Sequence, residues 1–247
     1  MDPRDTLLTS DASTDTSVST ATTTALSYSA VLWDMDGTLV DTEHYWMEAI
    51  DELMTAHGLS WSEEQQLLMV GNDLITSARI LIDHGLEMEA EVIVETLLDG
   101  VSARVAEHVP FRPGAQELLA ALREAEVPCV LVTMSYRRLA ETVLEAVPSG
   151  TFRGIVAGDD VTHGKPHPEP YLAGAALLGL DPAACVGLED SVPGITSAVA
   201  AGTRAVGIPH DVALDPPADP EHPDRVLIDT LAGVTPTDLD RITAPLV

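Results

Sequence analysis

The hydrophobic and polar positions follow one pattern in the first half of the chain and another in the second. A short apolar run over residues 29–34 predicts a strand buried on both faces, as in a parallel sheet. Apolar residues then recur at helical spacing without any strand signal. They predict a helix that ends at Gly58, one that opens with a capping box at Ser60 and Glu63, one over 74–84 and one over 88–108.

Strands and helices alternate beyond residue 110. The predicted strands cover 127–133, 155–157, 184–188, 204–208 and 226–229, and the predicted helices cover 136–147, 168–178 and 194–201. Such alternation is typical of a doubly wound parallel α/β sheet with right-handed crossovers. We therefore predict an α/β core formed by residues 29–41 and 110–247, with an all-helical domain inserted over residues 42–109.

The N-terminal segment differs from both patterns. Residues 6–29 hold fourteen Ser or Thr and few large apolar groups, so burial cannot offset the entropy of ordering them. We predict a flexible arm over residues 1–28. Asp2 and Asp5 lie where a signal peptide would be basic, and no apolar run of eighteen residues occurs in the chain, so we expect a cytoplasmic protein without a membrane span.

Charge excludes several classes of partner. The chain carries 40 Asp and Glu against 12 Lys and Arg, a net charge of −28, so nucleic acids and anionic membranes are unfavourable partners. Two cysteines are too few for a disulfide framework. Lys165 is the only lysine of the sequence, and His163 and His167 beside it are interpreted as loop residues. Nothing in the sequence indicates an oligomeric state.

Polar side chains stand where the predicted strands end. Because the carboxyl ends of parallel strands meet at one edge of a sheet, these side chains are expected to converge on one ligand site. Two carboxylates follow the first strand, a hydroxyl the second and an acidic pair the strand over 184–188, while an ammonium lies in the loop before the 168–178 helix: Asp34 and Asp36, Thr133, Glu189 and Asp190, and Lys165.

These segments resemble the four motifs of the haloacid dehalogenase superfamily. Asp34-Met-Asp-Gly-Thr-Leu-Val-Asp41 is similar to the first motif, Thr133 to the second, Lys165 to the third and Glu189-Asp190 to the fourth. Gly-Lys-Pro-x-Pro and Glu-Asp-Ser-x-x-Gly resemble the branch that contains β-phosphoglucomutase and sugar-phosphate phosphatases. That branch carries a small helical cap between its first two motifs, which is where the predicted helical domain lies. The resemblance covers about residues 29–210.

The resemblance implies a Mg²⁺-dependent phosphatase acting on a small phosphorylated metabolite. Asp34 would be the nucleophile that forms an aspartyl-phosphate, and Asp36 the general acid and base. Thr133 would donate its hydroxyl to a phosphoryl oxygen, and Lys165 would offset negative charge. The oxygen ligands that Mg²⁺ prefers would come from Asp34, the main-chain carbonyl of Asp36, and Asp190, with Glu189 bound directly or through water: four residues in all.

Two further groups of residues are expected to contact phosphate or substrate. The first lies beside the motifs and comprises Gly37, Thr38, Met134 and Ser135. The second lies in the helical insertion, where His44, Trp46, Gly71 and Asn72 are the main candidates, with Asp73 and Arg79 beside them. Trp46 is equally consistent with a place in the core. Arg79 and Arg104 are more consistent with a solvated face or an ion pair.

Alternative activities are distinguished by single positions. β-Phosphoglucomutase carries a cap histidine where Trp46 stands, and His44 is out of register, so hydrolysis is favoured over a mutase-type phosphotransferase. The dehalogenases lack the second aspartate that Asp36 supplies, and phosphonatases need a cap lysine that residues 42–109 do not contain. A receiver-like switch would also lack Asp36. A non-catalytic phosphometabolite-binding protein would not need every catalytic position occupied, as it is here.

Overall fold

A computed structural model describes residues 26–62, 65, 68–69, 74–210, 214 and 225–243. Its centre is a six-stranded parallel sheet in the order β3-β2-β1-β4-β5-β6. The strands are β1 (Ala30–Trp33), β2 (Cys129–Val132), β3 (Phe152–Val156), β4 (Cys185–Glu189), β5 (Arg204–Gly207) and β6 (Arg225–Leu227). The helices are α1 (Glu43–Ala56), α2 (Leu74–Asp83), α3 (Ala90–Glu107), α4 (Ala115–Glu124), α5 (Arg137–Glu145), α6 (Glu169–Leu177), α7 (Val192–Ala200) and α8 (Pro236–Thr243).

The sheet is covered on both faces, as the continuous apolar runs predict. Every residue of β1, β2 and β4 is buried. Alternate residues of β1 enter different hydrophobic clusters, since Val31 and Trp33 belong to one and Ala30 and Leu32 to the other. The chain adds strands on one side of β1 and then on the other, so the strand order reverses at β1 and leaves a crevice at the carboxyl ends of β1 and β4.

The predicted α/β fold is confirmed, and two helices were missed. All six predicted strands occur along the chain near their predicted positions, and β3 begins three residues earlier than expected, at Phe152. Helix α4 escaped prediction although its buried residues, Ala115, Leu118, Leu119 and Leu122, recur at helical spacing. Helix α8 is short and polar, with Leu239 as its buried residue, so its hydrophobic signal is weak.

The predicted N-terminal arm extends too far along the chain, because Ser27 and Tyr28 contact the core. The side chain of Tyr28 is buried, and its hydroxyl donates a hydrogen bond of 3.0 Å to the carbonyl of Pro236. The Ser27 amide donates to Asp240, 2.6 Å away. Because α8 supplies both partners, the missed helix explains the misplaced boundary. Residues 1–25 of the predicted arm lie outside the described residues.

Helices α1–α3 form a packed block between β1 and α4. Helix α3 lies at its centre and contacts α1, α2 and the core helix α5. Arg104 of α3 pairs with Glu48 and Glu52 of α1 at 3.0 and 2.6 Å, which agrees with the expected ion pair. Arg138 of α5 pairs with Asp99 of α3 at 2.8 Å and so connects the block to the core.

The predicted helix near residue 60 is only partly described. The predicted capping box paired Ser60 with Glu63, and Glu63 lies outside the described residues. Reciprocal hydrogen bonds of this kind instead join Ser62 and Gln65, at 2.8 and 3.3 Å. The pairing of Ser60 with Glu63 stays a prediction, and the described reciprocal pair lies two residues further along the chain.

The chain enters and leaves the helical block through two paired segments. The Asp41 amide donates to the Pro110 carbonyl at 2.8 Å, and the Arg112 amide donates to the Leu39 carbonyl at 2.9 Å. These bonds place the two crossings beside one another at the carboxyl edge of β1. No helix in the described part of the chain is long and apolar enough to cross a bilayer.

Candidate active site

The motif residues lie together at the carboxyl edge of the three central strands. Asp34 directly follows β1, Thr133 directly follows β2, and Glu189 is the last residue of β4. Since β1 pairs with both β2 and β4, their ends are neighbours. Lys165 reaches the same place from the loop between β3 and α6.

Lys165 is the buried positive charge of this site. Its Nζ lies 2.6 Å from Asp34 Oδ1 and 2.6 Å from Glu189 Oε1, and it donates to the Val132 carbonyl at 2.9 Å. The lysine side chain is only 5% exposed. Burial alone would lower the pKa of Lys165, but the charges of Asp34 and Glu189 outweigh it and raise that pKa, so the ammonium form is retained.

A second layer of side chains surrounds Glu189. The Tyr171 hydroxyl donates to Glu189 Oε1 at 2.8 Å, and the Ser191 hydroxyl donates to Glu189 Oε2 at 3.2 Å. A Cβ on Gly194, in the first turn of α7, would lie 1.9 Å from Glu189 Oε2, so the close approach requires glycine. Glu189 is therefore held from several directions, and its main contact is with Lys165.

The carboxylate of Asp36 accepts hydrogen bonds from hydroxyl groups, whereas that of Asp34 is paired with an ammonium. Thr42 donates to Asp36 Oδ1 at 2.6 Å, while Ser135 and Thr133 donate to Oδ2 at 2.7 and 3.3 Å. Thr133 also accepts the Ser135 amide at 3.0 Å, which orients its hydroxyl. The two carboxylates of the first motif thus have different neighbours, which suits different chemical roles.

Negative charge is in excess where three of the carboxylates meet. Oxygens of Asp34, Glu189 and Asp190 lie within 4.8 Å of one another, against the one ammonium of Lys165. Burial, reinforced by the charge of Glu189, raises the pKa of Asp34 well above its usual range and that of Asp190 to about 7. Asp34 Oδ2 is buried and has no hydrogen-bond partner among the described residues. An all-oxygen group with this charge fits a hard divalent cation such as Mg²⁺.

The turn after β1 depends on Gly37. Its φ is +83°, a left-handed conformation that glycine adopts without strain. A Cβ at this position would also lie 2.0 Å from Asp190 Oδ2. The first motif therefore needs glycine here to bring Asp34 and Asp36 against Asp190.

The other residues expected beside the motifs line this edge of the sheet. Met134 Sδ accepts the Lys165 amide at 3.3 Å, and a Cβ on Gly158 would lie 2.3 Å from the Met134 carbonyl. Met134 thus joins the loop after β2 to the loop of Lys165. Thr38 is fully buried, and no described residue forms a hydrogen bond with its hydroxyl.

The candidates in the helical block are less closely tied to the site. His44 is exposed, and its ring lies 4.1 Å from the Tyr45 ring between centroids at an angle of 50°, while Trp46 packs against the hydrophobic core. Arg79 is exposed. Contacts of His44 and Trp46 with substrate stay predictions, and the structure favours the core interpretation of Trp46. Gly71, Asn72 and Asp73 lie outside the described residues.

Sequence reasoning overlooked two side chains of the site. Thr42 follows the first motif and donates to Asp36, but a hydroxyl next to a motif has no distinctive spacing. Tyr171 lies among small and apolar residues of α6 and is completely buried. A buried tyrosine needs a partner for its hydroxyl, and that requirement was the signal available in the sequence.

Together these observations define a class of protein: a parallel α/β enzyme with a carboxylate and lysine site at the switch point of its sheet. Residues 28–202 match the haloacid dehalogenase-like hydrolase family. The chain therefore belongs to this family, and the prediction of an enzyme of this kind is confirmed.

Relatives with named activities cover most of the chain. Hexitol phosphatase A of Escherichia coli (strain K12) is 35% identical over 189 residues, which are 76% of this chain and 83% of that protein. The bifunctional riboflavin kinase/FMN phosphatase of Arabidopsis thaliana is 31% identical over 73% of this chain, but the chain spans only 48% of that longer protein.

A solved structure shares the fold. A variant of CbbY from Rhodobacter sphaeroides, in complex with xylulose-(1,5)bisphosphate, superposes with a TM-score of 0.75 at 26% identity. The similarity covers 86% of this chain and 99% of that one. The fold of most of this chain is therefore one already seen in a solved structure.

Replacing Tyr171 with Phe tests the second layer around Glu189. The substitution removes the hydroxyl that donates to a fully buried carboxylate, so we expect the free energy of unfolding to fall by about 1–3 kcal/mol. Urea denaturation followed by circular dichroism measures it. Tyr45→Phe is the matched control, because its hydroxyl bonds the His108 carbonyl at an exposed position and its loss should cost at most about 0.5 kcal/mol. Equal losses in the two variants would contradict the assignment.

Proposed function

We propose that the protein is a Mg²⁺-dependent phosphatase that hydrolyses a small phosphomonoester of the sugar-phosphate type through an aspartyl-phosphate. The observation that carries this proposal is the buried Asp34, whose Oδ1 is paired with Lys165 and whose Oδ2 has no partner in the part of the chain that the structure describes. Asp36 and Asp190 lie beside it with contrasting surroundings. This arrangement supplies a nucleophile, a proton carrier and charge compensation in one place.

The first chemical step transfers the phosphoryl group to Asp34. A carboxylate oxygen of Asp34 forms a bond to phosphorus as the bond from phosphorus to the leaving oxygen breaks. Asp36, held by the hydroxyls of Thr42 and Ser135, protonates that leaving oxygen so that an alcohol departs. Lys165 keeps the nucleophile and the phosphate dianion from repelling one another.

The second step regenerates the enzyme. Asp36, now ionised, takes a proton from a water molecule as the water oxygen attacks the phosphorus of the aspartyl-phosphate. The bond between phosphorus and the Asp34 oxygen breaks, which releases inorganic phosphate and restores the Asp34 carboxylate. The hydroxyl of Thr133 donates its one hydrogen to Asp36 in the structure and would turn to a phosphoryl oxygen once phosphate is bound.

The carboxylate group around Asp34 is the proposed metal site. Asp34, Asp190 and the main-chain carbonyl of Asp36 would hold Mg²⁺, and Glu189 adds a third carboxylate whose Oε1 contacts both Lys165 and Tyr171. When bound, Mg²⁺ would neutralise charge on the phosphoryl oxygens. It would also offset the burial and the charge of Glu189, which together raise the pKa of Asp34 and Asp190.

The helical block over residues 42–109 is the proposed cap. Its paired connections reach the core beside Asp36, so the block lies next to the place where the leaving group departs. Hexitol phosphatase A and the CbbY complex carry a phosphorylated polyol or sugar in their names, which supports the same substrate class for this chain. His44, Trp46, Gly71 and Asn72 remain the proposed cap contacts with that substrate.

The Asp34→Asn variant tests the nucleophile. The amide is nearly isosteric but is a far weaker nucleophile, so we expect turnover to fall by at least about 10³-fold while the protein stays folded. Phosphate release and circular dichroism measure the two properties. Asp51→Asn, an exposed position on α1, is the matched control and should retain wild-type turnover. Full activity of Asp34→Asn would exclude the mechanism.

Removal of divalent cations tests the metal. Because the carboxylates around Asp34 exceed the single lysine in charge, phosphate should bind poorly without a cation. We expect EDTA to abolish phosphate release and excess Mg²⁺ to restore it. Activity that persists in EDTA, after passage over a chelating resin, would count against the metal assignment.

A phosphate-release screen tests the substrate class. Hexose, deoxyhexose and polyol phosphates should be hydrolysed with a higher kcat/KM than phosphoglycolate or nucleotides. A parallel assay with β-glucose-1-phosphate and a trace of the bisphosphate should give inorganic phosphate and no isomerised sugar phosphate. Isomerisation without net phosphate release would instead establish a mutase, and preference for nucleotides would refute the substrate class.

A further inference from the structure

A second cluster of metal-ligating side chains lies on the loop that carries Lys165. His163 and His167 stand two residues before and after the lysine, and Glu169 opens α6. One ligand atom from each of the three residues lies within 4.8 Å of the others. The two imidazole rings face one another with centroids 4.6 Å apart. None of these side chains has a part in the proposed hydrolysis.

The spacing of the ligand atoms is close to that of a tetrahedral metal site. His163 Nδ1 lies 2.9 Å from Glu169 Oε2, and His167 Nδ1 lies 3.9 Å from the same oxygen. Two ligands about 2.05 Å from a tetrahedral Zn²⁺ are separated by about 3.3 Å. The observed separations lie on either side of this value, so small side-chain rotations would suffice to seat an ion.

The protein already orients the carboxylate of this cluster. Glu169 Oε1 accepts the Thr162 amide at 2.7 Å, and Oε2 accepts the His163 amide at 3.0 Å. These bonds, chiefly the one from Thr162, lower the pKa of Glu169 and keep it anionic. Carboxylate ligands that are fixed by outer hydrogen bonds are characteristic of built metal sites.

The main chain and ring of His167 are also fixed. Ser197 donates to the His167 carbonyl at 2.6 Å, and His167 Nδ1 accepts the Glu169 amide at 3.2 Å. An accepting nitrogen is unprotonated, so this ring presents the lone pair that a metal requires. The amide lies at an exposed helix start, where water can replace the imidazole as its acceptor.

We propose that His163, His167 and Glu169 bind one transition-metal dication of the Zn²⁺ type. Two imidazoles and one carboxylate favour Zn²⁺, Co²⁺ or Ni²⁺ over Mg²⁺, whereas the all-oxygen group around Asp34 has the opposite preference. The His163 and His167 side chains are 62% and 50% exposed, so water can complete the coordination. The ion would bind residues on both sides of Lys165 and so connect the lysine loop to the start of α6.

Calorimetric titration of the full chain with Zn²⁺ tests this proposal. Millimolar Mg²⁺ is kept in the buffer so that the carboxylate group around Asp34 does not compete. We expect one Zn²⁺ per chain, and the absorption of added Co²⁺ should show the intense visible bands of tetrahedral coordination. His163→Ala and Glu169→Gln should each weaken Zn²⁺ binding at least tenfold, and the double variant His163→Ala/His167→Ala should abolish it.

His84→Ala is the matched control. His84 is an exposed histidine of the helical block whose Nδ1 contacts the Ile80 carbonyl, so this variant should bind Zn²⁺ like the wild type. Circular dichroism checks that every variant is folded. Saturable binding that survives in the folded double variant, or no saturable binding by the wild type under Mg²⁺, would overturn the site. These readouts do not depend on phosphatase activity.

Discussion

The contact on which this molecule depends is the buried bridge from Lys165 to two carboxylates. One nitrogen joins Asp34 beyond β1 to Glu189 at the end of β4, and it also binds the Val132 carbonyl of β2. Taking these charges out of water costs several kcal/mol per ion, and loss of one partner would leave a buried charge uncompensated, at about 3–5 kcal/mol. The bridge therefore holds three strand ends in one arrangement. The carboxylates carry more negative charge than Lys165 offsets. The same place can therefore hold a cation and, together with it, a phosphate.

The neighbours of each carboxylate suit it to a different role in the site. An ammonium keeps Asp34 oriented and compensated, hydroxyls hold Asp36, and Tyr171 and Ser191 fasten Glu189 from behind. Groups of one chemical type thus acquire different properties from their neighbours. Most of these neighbours come from different elements of the fold. The three carboxylates therefore differ in their surroundings only once the sheet has formed. The glycine at 194 shows how closely the elements approach, because no side chain fits between α7 and Glu189.

The sequence predicts this protein best where a local signal and a structural role coincide. The apolar runs of β1, β2 and β4 have no competing interpretation, and the motif residues Asp34 and Asp190 stand at strand ends that topology brings together. Tyr171 and Thr42 were missed because their roles arise from contacts between separate elements. The end of the N-terminal arm was misplaced because α8 has little hydrophobic signal. The sequence cannot show which side chains of the helical block contact a leaving group, because these contacts depend on how the block packs on the core.

The paired crossings over residues 39–41 and 110–112 have a consequence for how such proteins diversify. The two ends of the helical insertion lie side by side. The distance between them is therefore the same for a short insertion and for a long one, so a change in its length need not move the flanking elements. The helical block can therefore be exchanged as a cassette while the register of β1 with β2 and β4 is preserved. Changes within the block can alter what lies beside Asp36, while the residues that follow β1, β2 and β4 keep their places.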